Sequence, residues 1–196
     1  MRAPSLPVIA LCLLPSLAAA QTPVEQSRPE ILGTVSLSNL WDDESFLGAG
    51  LSGGAGAGYR WRGRVGLEGR VEWFSHERTF LSGVRFHADG TRVLGQVAYY
   101  WLNGTAQPFA AGTVGVIRVN QTNESPIFEP GPGGLPNRIG TNVVSSRATD
   151  FAWGGSGGVR IRLNDRLALR PEAGILVSMP HNFIDIRFGV TAAVSW

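Results

Sequence analysis

The chain of 196 residues is predicted to be all-β: an eight-stranded antiparallel up-and-down transmembrane β-barrel. Three features point there. After the first thirty residues the apolar positions recur with a period of two, the spacing of strands with one apolar face. Connections alternate between tight turns and longer segments, as in barrels that cross a membrane. The polar parity is dominated by Gly and Ser with isolated Arg, Glu and Asp, which suits a narrow interior better than a water-facing surface. Composition excludes several other classes. Charged residues are only 16 % and every one of the 17 cations is Arg, where a soluble domain carries about 25 % charge. No apolar run beyond residue 20 approaches the roughly 20 residues of a spanning helix. With 43 % apolar residues the chain has enough apolar surface to fold. A formal charge of +2 spread along the sequence leaves no basic stripe for nucleic acid.

Residues 1–20 read as a cleaved signal peptide: Arg2, then the apolar Val8 to Leu14, then Ala18-Ala19-Ala20 as a small-residue cleavage site. The only cysteine, Cys12, lies inside it, so no disulfide or thiol chemistry is expected in the mature protein. Residues 21–30, polar and with two prolines, are expected to be a short periplasmic lead, and residues 31–196 the barrel.

The first barrel segment places Ile31, Gly33, Val35, Leu37 and Trp41 on one parity against Leu32, Thr34, Ser36 and Ser38. In the second, Leu47, Ala49, Leu51, Ala55, Ala57 and Tyr59 oppose a run of Gly and Ser. In the third, Val65, Leu67, Val71 and Trp73 alternate with Arg64, Glu68, Arg70 and Glu72. Val93, Val97, Tyr99 and Trp101 form the fourth against Arg92 and Gln96. The fifth is weaker, with Phe109, Ala111 and Ile117 opposed by Gly112 and Arg118. The sixth sets Phe151, Trp153, Val159, Ile161 and Leu163 against Ser156, Arg160 and Arg162. The seventh sets Leu167, Leu169, Ala173, Ile175 and Val177 against Arg170 and Glu172. The eighth runs Ile184, Ile186, Phe188, Val190, Ala192, Val194 and Trp196 against Asp185, Arg187, Thr191 and Ser195. Tight turns are expected at Trp61 to Gly63, Asn103-Gly104-Thr105 and Asn164-Asp165. Longer connections are expected at Asp42 to Ser45, Ser75 to Gly90, Asn120 to Thr149 and Met179 to Asn182. The third of these, rich in Pro, Gly, Asn and Ser, reads as a mobile loop. Val84, Phe86 and Ala88-Asp89-Gly90 could instead extend segments three and four as a hairpin.

Eight alternating strands fit two solvents. A lipocalin-like soluble periplasmic barrel would turn the apolar parity inward around a small ligand; a membrane barrel turns it toward lipid. Aromatic residues favour the second. Trp41, Phe46, Trp73, Phe151, Trp153 and Phe183 fall at the long-connection ends, and Tyr59, Trp101, Phe109 and Trp196 at the tight-turn ends, like the two girdles at membrane interfaces.

With that orientation the interior collects Glu68, Arg70, Glu72, Arg92, Arg118, Arg160, Arg162, Arg170, Glu172, Asp185 and Arg187. Buried charges must pair, and the planar Arg fork suits carboxylates; Glu172 is expected opposite or diagonal to Arg187. Such a network plugs the barrel, or forms a narrow pore if its pairs rearrange. Gly48 to Gly53 matches a dinucleotide-binding fingerprint in letters only, since no helix pattern follows it. His76 beside Ser75, His87 near Asp89 and His181 near Asp185 are the candidates for a nucleophile and base. Ser75 and His76 point to opposite faces of a strand, so no enzyme, cofactor or metal site is expected. Phe80, Leu81, Val84, Phe86, Ile127 and Phe128 lie in the outward connections, either as a contact patch or as a packed cap.

The last segment, with Phe188, Val190, Ala192, Val194 and the terminal aromatic Trp196, resembles the C-terminal strand of small outer-membrane barrels of the OmpA/OmpX type. The resemblance extends from Ile31 to Trp196. It implies location in the outer membrane, with lipid and lipopolysaccharide as neighbours. It also implies insertion by the barrel assembly machinery, aided by periplasmic chaperones, through that strand; the usual last residue is Phe, and Trp196 departs from it. The cell-wall-binding domain that follows the barrel in some relatives is not expected. The implied role is structural or surface-interacting, as a monomer with a possible extracellular ligand at the loops. A small low-conductance channel is the alternative, and a soluble ligand-binding barrel the second.

Overall fold

A computed structural model describes residues 27–42, 45–130 and 136–196; the expected signal peptide and nearly all of the expected lead lie outside them. Eight strands follow in chain order: β1 Arg28–Asp42, β2 Ser45–Trp61, β3 Val65–Thr79, β4 Arg85–Tyr100, β5 Ala106–Pro130, β6 Pro136–Arg162, β7 Leu167–Met179 and β8 Phe183–Ser195. Each pairs antiparallel with its neighbour, and β1 pairs with β8 from Glu30↔Ser195 to Asp42↔Phe183, closing the barrel.

The alternation decides which way each side chain turns. Val35, Leu51, Leu67, Val93, Val114 and Phe188 stand exposed on the outer wall, while Glu68, Arg70, Glu72, Arg92 and Arg170 are buried within. An apolar exterior around a charged interior fits lipid outside and removes the inside-out soluble barrel. Trp41, Trp73, Phe151 and Trp153 are exposed toward the long-hairpin end, and Tyr59, Trp61, Tyr99, Trp101 and Trp196 toward the tight-turn end. They form the two aromatic girdles.

Several expectations need correcting. The fifth segment is inverted: Phe109, Ala111, Ile117 and Val119 are buried, Val114 and Val116 face outward, and Arg118 is exposed. Phe109 and Phe183 therefore leave the girdles for the interior. Leu47 also turns inward, at 8 % exposure. The register shifts beside Leu40 and Trp41, and Gly48, at φ +140° in a region that L side chains avoid, flips the parity there. Two of the long connections are paired strands over their described residues, the first of them the hairpin that the sequence offered as an alternative. β3 and β4 stay paired up to Thr79↔Arg85, with a turn closed by Phe80 N donating to Val84 O at 2.8 Å. β5 and β6 stay paired to Pro130↔Pro136 as a two-stranded ribbon. Finally, β1 begins at Arg28, so Glu30 belongs to the barrel rather than to the lead.

The interior has two zones. Toward the tight-turn end it is charged. Toward the ribbon end Leu40, Leu47, Phe74, Phe86, Ala88, Leu94, Ile117, Val119, Ala152, Leu176 and Phe183 form a continuous apolar cap, with Phe80 against it. The charged zone needs a flat floor, which β2 supplies. A Cβ on Gly54 would come within 2.7 Å of Glu72 Cγ, and one on Gly56 within 2.8 Å of Arg70 Cγ and closer still to the Gly69 carbonyl. Gly56→Ala is expected to lower stability by about 1–3 kcal/mol, the usual cost of overpacking. Gly69→Ala, on the lipid side with nothing within 4 Å, is expected to be neutral. The temperature at which the compact, SDS-resistant band converts to the unfolded one measures both.

Candidate functional site

The inward parity of β3 supplies Glu68, Arg70 and Glu72, and the neighbouring β4 together with β7 and β8 across the barrel supplies their partners. Arg92 of β4 lies between two carboxylates: its Nε donates to Glu72 Oε2 at 2.7 Å and its Nη1 to Asp185 of β8. Arg187 Nη1 donates to the same Glu72 Oε2 at 3.0 Å. Arg70 Nη1 donates to Glu172 Oε1 of β7 at 3.0 Å and lies 3.6 Å from Glu72 Oε1. Arg170 grips Glu68 with two nitrogens, one bond being Nη2 to Oε2 at 2.8 Å, and its Nε is 3.2 Å from Glu172 Oε2. Its Nη1 also donates to the Tyr100 hydroxyl at 3.2 Å. The result is one connected lattice of guanidinium forks and carboxylates spanning β3, β4, β7 and β8, with the two-pronged geometry that Arg provides.

A second cluster closes the tight-turn end. Arg160 Nη2 donates to Glu30 Oε1 at 2.7 Å, Arg60 Nε lies 3.8 Å from the same oxygen, and Arg60 Nη1 donates to Gln107 Oε1 at 2.9 Å. Glu30, Arg60, Gln107 and Tyr100 were not among the expected residues. Arg60 and Tyr100 stand on the inward parities of their strands, which is the signal that reaches them. Arg162 is half-buried at this mouth. Arg118 alone of the expected set is turned outside. Glu172 is diagonal to Arg187 in register, Gly174 being the residue opposite, yet the two do not pair: Glu172 meets Arg70 and Arg170, and Arg187 meets Glu72.

Space inside the lattice is scarce. Thr34, Ser36, Glu72, Ser156, Glu172, Gly174, Arg187 and Gly189 line a cavity of about 10 Å³, close to what a single water needs. Above it sits the apolar cap, so the charged zone is closed toward the ribbon end. Phe86 is part of that cap and Phe80 packs against it, while Val84 is half-buried in the turn between β3 and β4. Leu81, Ile127 and Phe128 are exposed.

The histidines take other partners than expected. Ser38 Oγ and His76 Nε2 share a hydrogen bond of 2.6 Å, both buried beneath the cap, while Ser75 faces outward. His181 Nδ1 lies 2.7 Å from Asp150 Oδ1, not beside Asp185. Ser178 Oγ bonds that same carboxylate at 3.3 Å rather than the imidazole, which is not the contact a nucleophile needs from its base. His87 Nε2 is 3.5 Å from Asp89 Oδ1. Among the described residues no cluster of three or more His, Cys, Asp or Glu is placed to hold a metal.

Removing one member of the lattice leaves its partners buried and unpaired, which costs about 3–5 kcal/mol. Arg92→Met is expected to destabilise the barrel by that amount. Arg92→Met with Asp185→Asn is expected to recover part of it, because Glu72 keeps Arg187 and Arg70. Urea unfolding in lipid vesicles, followed by tryptophan fluorescence, measures the difference.

Comparison with known proteins agrees with this geometry. None of the curated proteins compared with the chain matches it. Among solved structures, Neisserial surface protein A superposes with a TM-score of 0.62 at 11 % identity, over 88 % of this chain and 100 % of that one. Ail, the attachment invasion locus protein of Yersinia pestis, in its complex with the heparin analogue sucrose octasulfate, superposes with a TM-score of 0.56 at 11 % identity, over the same shares. The profile of the family described as outer membrane protein beta-barrel domain matches residues 8–191. With its closed ring of eight strands, apolar wall and two girdles, the chain belongs to the outer-membrane β-barrel family.

Proposed function

We propose that the protein is a plugged barrel that acts at the cell surface through its β5–β6 ribbon. The open edge of β6 carries this reading. β7 pairs with β6 only from Phe151 onward, and β4 pairs with β5 only as far as Glu124. Residues 136–150 of β6 therefore present an edge with no neighbouring strand. Ile127, Phe128, Ile139, Val143 and Val144 of the ribbon are all exposed apolar residues. A long unpaired edge with apolar side chains is the form that adds an extended segment of another protein as a further strand. The lattice and its cap make the barrel a rigid base for the ribbon. The names of the two structural neighbours, a surface protein and an attachment protein, are in keeping with this role. In the same reading β8, with Trp196 directly after it, is the strand handed to the assembly machinery after periplasmic chaperones deliver the chain. The barrel stands as a monomer among outer-membrane lipid and lipopolysaccharide.

A variant in which Thr122 and Ser145, paired across the ribbon, are joined by Asn-Gly tests it. The shortened barrel is expected to fold and shift on heating like the parent, while cells displaying it lose adherence to host-cell monolayers down to the level of cells without the protein. Unchanged adherence would remove the ribbon from the function. In planar bilayers the full protein is expected to give no resolved conductance steps; discrete steps would put a small channel in its place.

A further inference from the structure

The one expected interior charge that the fold turns outward marks a second surface. Arg118 of β5 pairs in register with Thr91 of β4 and Thr149 of β6, and Thr91 pairs with Trp73 of β3. Arg118 therefore stands level with the upper aromatic girdle, one rung above Val116↔Phe151, the last apolar pair facing lipid. Among the described residues its guanidinium has no hydrogen-bond or ion-pair partner. One outward rung higher, Arg147 donates through Nε to Asn120 Oδ1 at 2.8 Å, and Asn120 Nδ2 donates to Asp89 Oδ2 at 3.1 Å. His87 lies 3.5 Å from the other Asp89 oxygen. Trp73, Thr91, Arg118, Asn120, Arg147 and Asp89 surround a cavity of about 400 Å³ on the outer wall. Neither arginine has a carboxylate within 4 Å among the described residues, and with the two arginines and Asp89 the lining carries a net charge of +1.

The wall below continues this surface. Gly112, Val114, Val116 and Arg118 are successive outward positions of one strand. Six residues at about 3.3 Å each span roughly 20 Å along the strand, or about 15 Å of depth at a 40° tilt. Gly95 of β4 lies four residues from Thr91 at the upper girdle and four from Tyr99 at the lower, and it pairs with Gly69, so the wall between them is at mid-depth. There Gly69, Gly95 and Gly112 floor an apolar groove of about 650 Å³ walled by Val114 and Trp153. Packing does not require these glycines, since a Cβ at Gly69 or Gly112 would meet nothing within 4 Å.

We propose that the β3–β6 wall holds a phosphorylated, acylated lipid of the outer leaflet, with its phosphate on Arg118 and Arg147 and an acyl chain lying down the groove. Charge complementarity selects this occupant over a neutral lipid or a second copy of the chain, whose girdle would bring no anion to these arginines. The site is independent of the ribbon and its partner.

The test is a titration of the folded protein in zwitterionic detergent with bisphosphorylated lipid A, read by tryptophan fluorescence, since Trp73 lines the pocket. Arg118→Gln with Arg147→Gln, both exposed and outside the interior lattice, is expected to raise the half-saturating concentration about tenfold per arginine, the worth of a charge-assisted contact. Arg64→Gln on a tight turn at the opposite end is expected to change nothing. Gly112→Leu, which fills the groove, is expected to weaken binding several-fold with both arginines in place. Lipid A stripped of phosphate is expected to bind no better to the parent than to the double variant. Equal affinity of parent and double variant for lipid A would overturn the site. So would equal affinity of the parent for intact and for stripped lipid A, and a response to inorganic phosphate alone would replace the lipid with a free anion.

Discussion

The structure depends on the fit of a charged lattice into an interior that eight strands make only as wide as its side chains. No member is satisfied by its own hairpin alone. Glu30 of the first strand meets Arg160 of the sixth, and Glu68 and Glu72 of the third meet Arg170 of the seventh and Arg187 of the eighth. These bonds exist only once the ring has closed. Buried ion pairs are poor sources of net stability, but they are demanding about register. A slip of one residue turns every side chain to the opposite face. It would carry Arg70, Glu72 and Arg92 into lipid, where an Arg near the midplane costs about 2–4 kcal/mol. The lattice therefore sets which strand pairs with which, and how.

Glycine and arginine are two halves of that device. β2 offers Gly54, Gly56 and Gly58 beside Glu72, Arg70 and Glu68 of β3, so the long side chains lie flat against the neighbouring backbone and reach across the lumen. Aromatic rings cover the guanidinium planes at the edges of the charged zone. Arg92 sits 5.3 Å over Phe74 at the cap, and Arg170 sits 5.1 Å over Phe109 toward the tight turns. Polar lattice and apolar cap meet through these stacked pairs, which leaves no abrupt boundary between ion pairs and hydrocarbon.

Much of this was legible in the sequence, because lipid on one side and charge on the other force a strict period of two. Legibility fails where that contrast fades. In β5 both parities are apolar, Phe109, Ala111, Ile117 and Val119 inside and Val114 and Val116 outside, because its interior positions face the cap and the Tyr100 layer. Hydrophobicity alone then cannot choose a face, and Arg118 was drawn inward with the wrong parity. The β5–β6 ribbon stands beyond the girdles, so neither of its faces needs an apolar stripe, and a paired hairpin reads as a loop. Charged residues on the inner faces could be recognised, but not their partners. Those depend on the stagger of strands across the ring, and Glu172 reaches Arg70 and Arg170 rather than its diagonal neighbour Arg187.

A filled interior also directs attention outward. In the proposed function the lattice and its apolar lid occupy the lumen, and recognition falls to the exterior. The exterior has two parts, the ribbon in water and the wall in lipid. A wall that only dissolves in hydrocarbon would be expected to carry bulky apolar side chains throughout and to keep cations away from its rim unless they are paired. This one departs from both: open glycines on β3, β4 and β5 between the girdles, and on β5 at girdle height an arginine with no carboxylate within 4 Å among the described residues. Packing within the chain requires neither departure. The two are separated by about half a bilayer core, the distance a lipid itself spans from headgroup to chain end, so one amphiphile accounts for both.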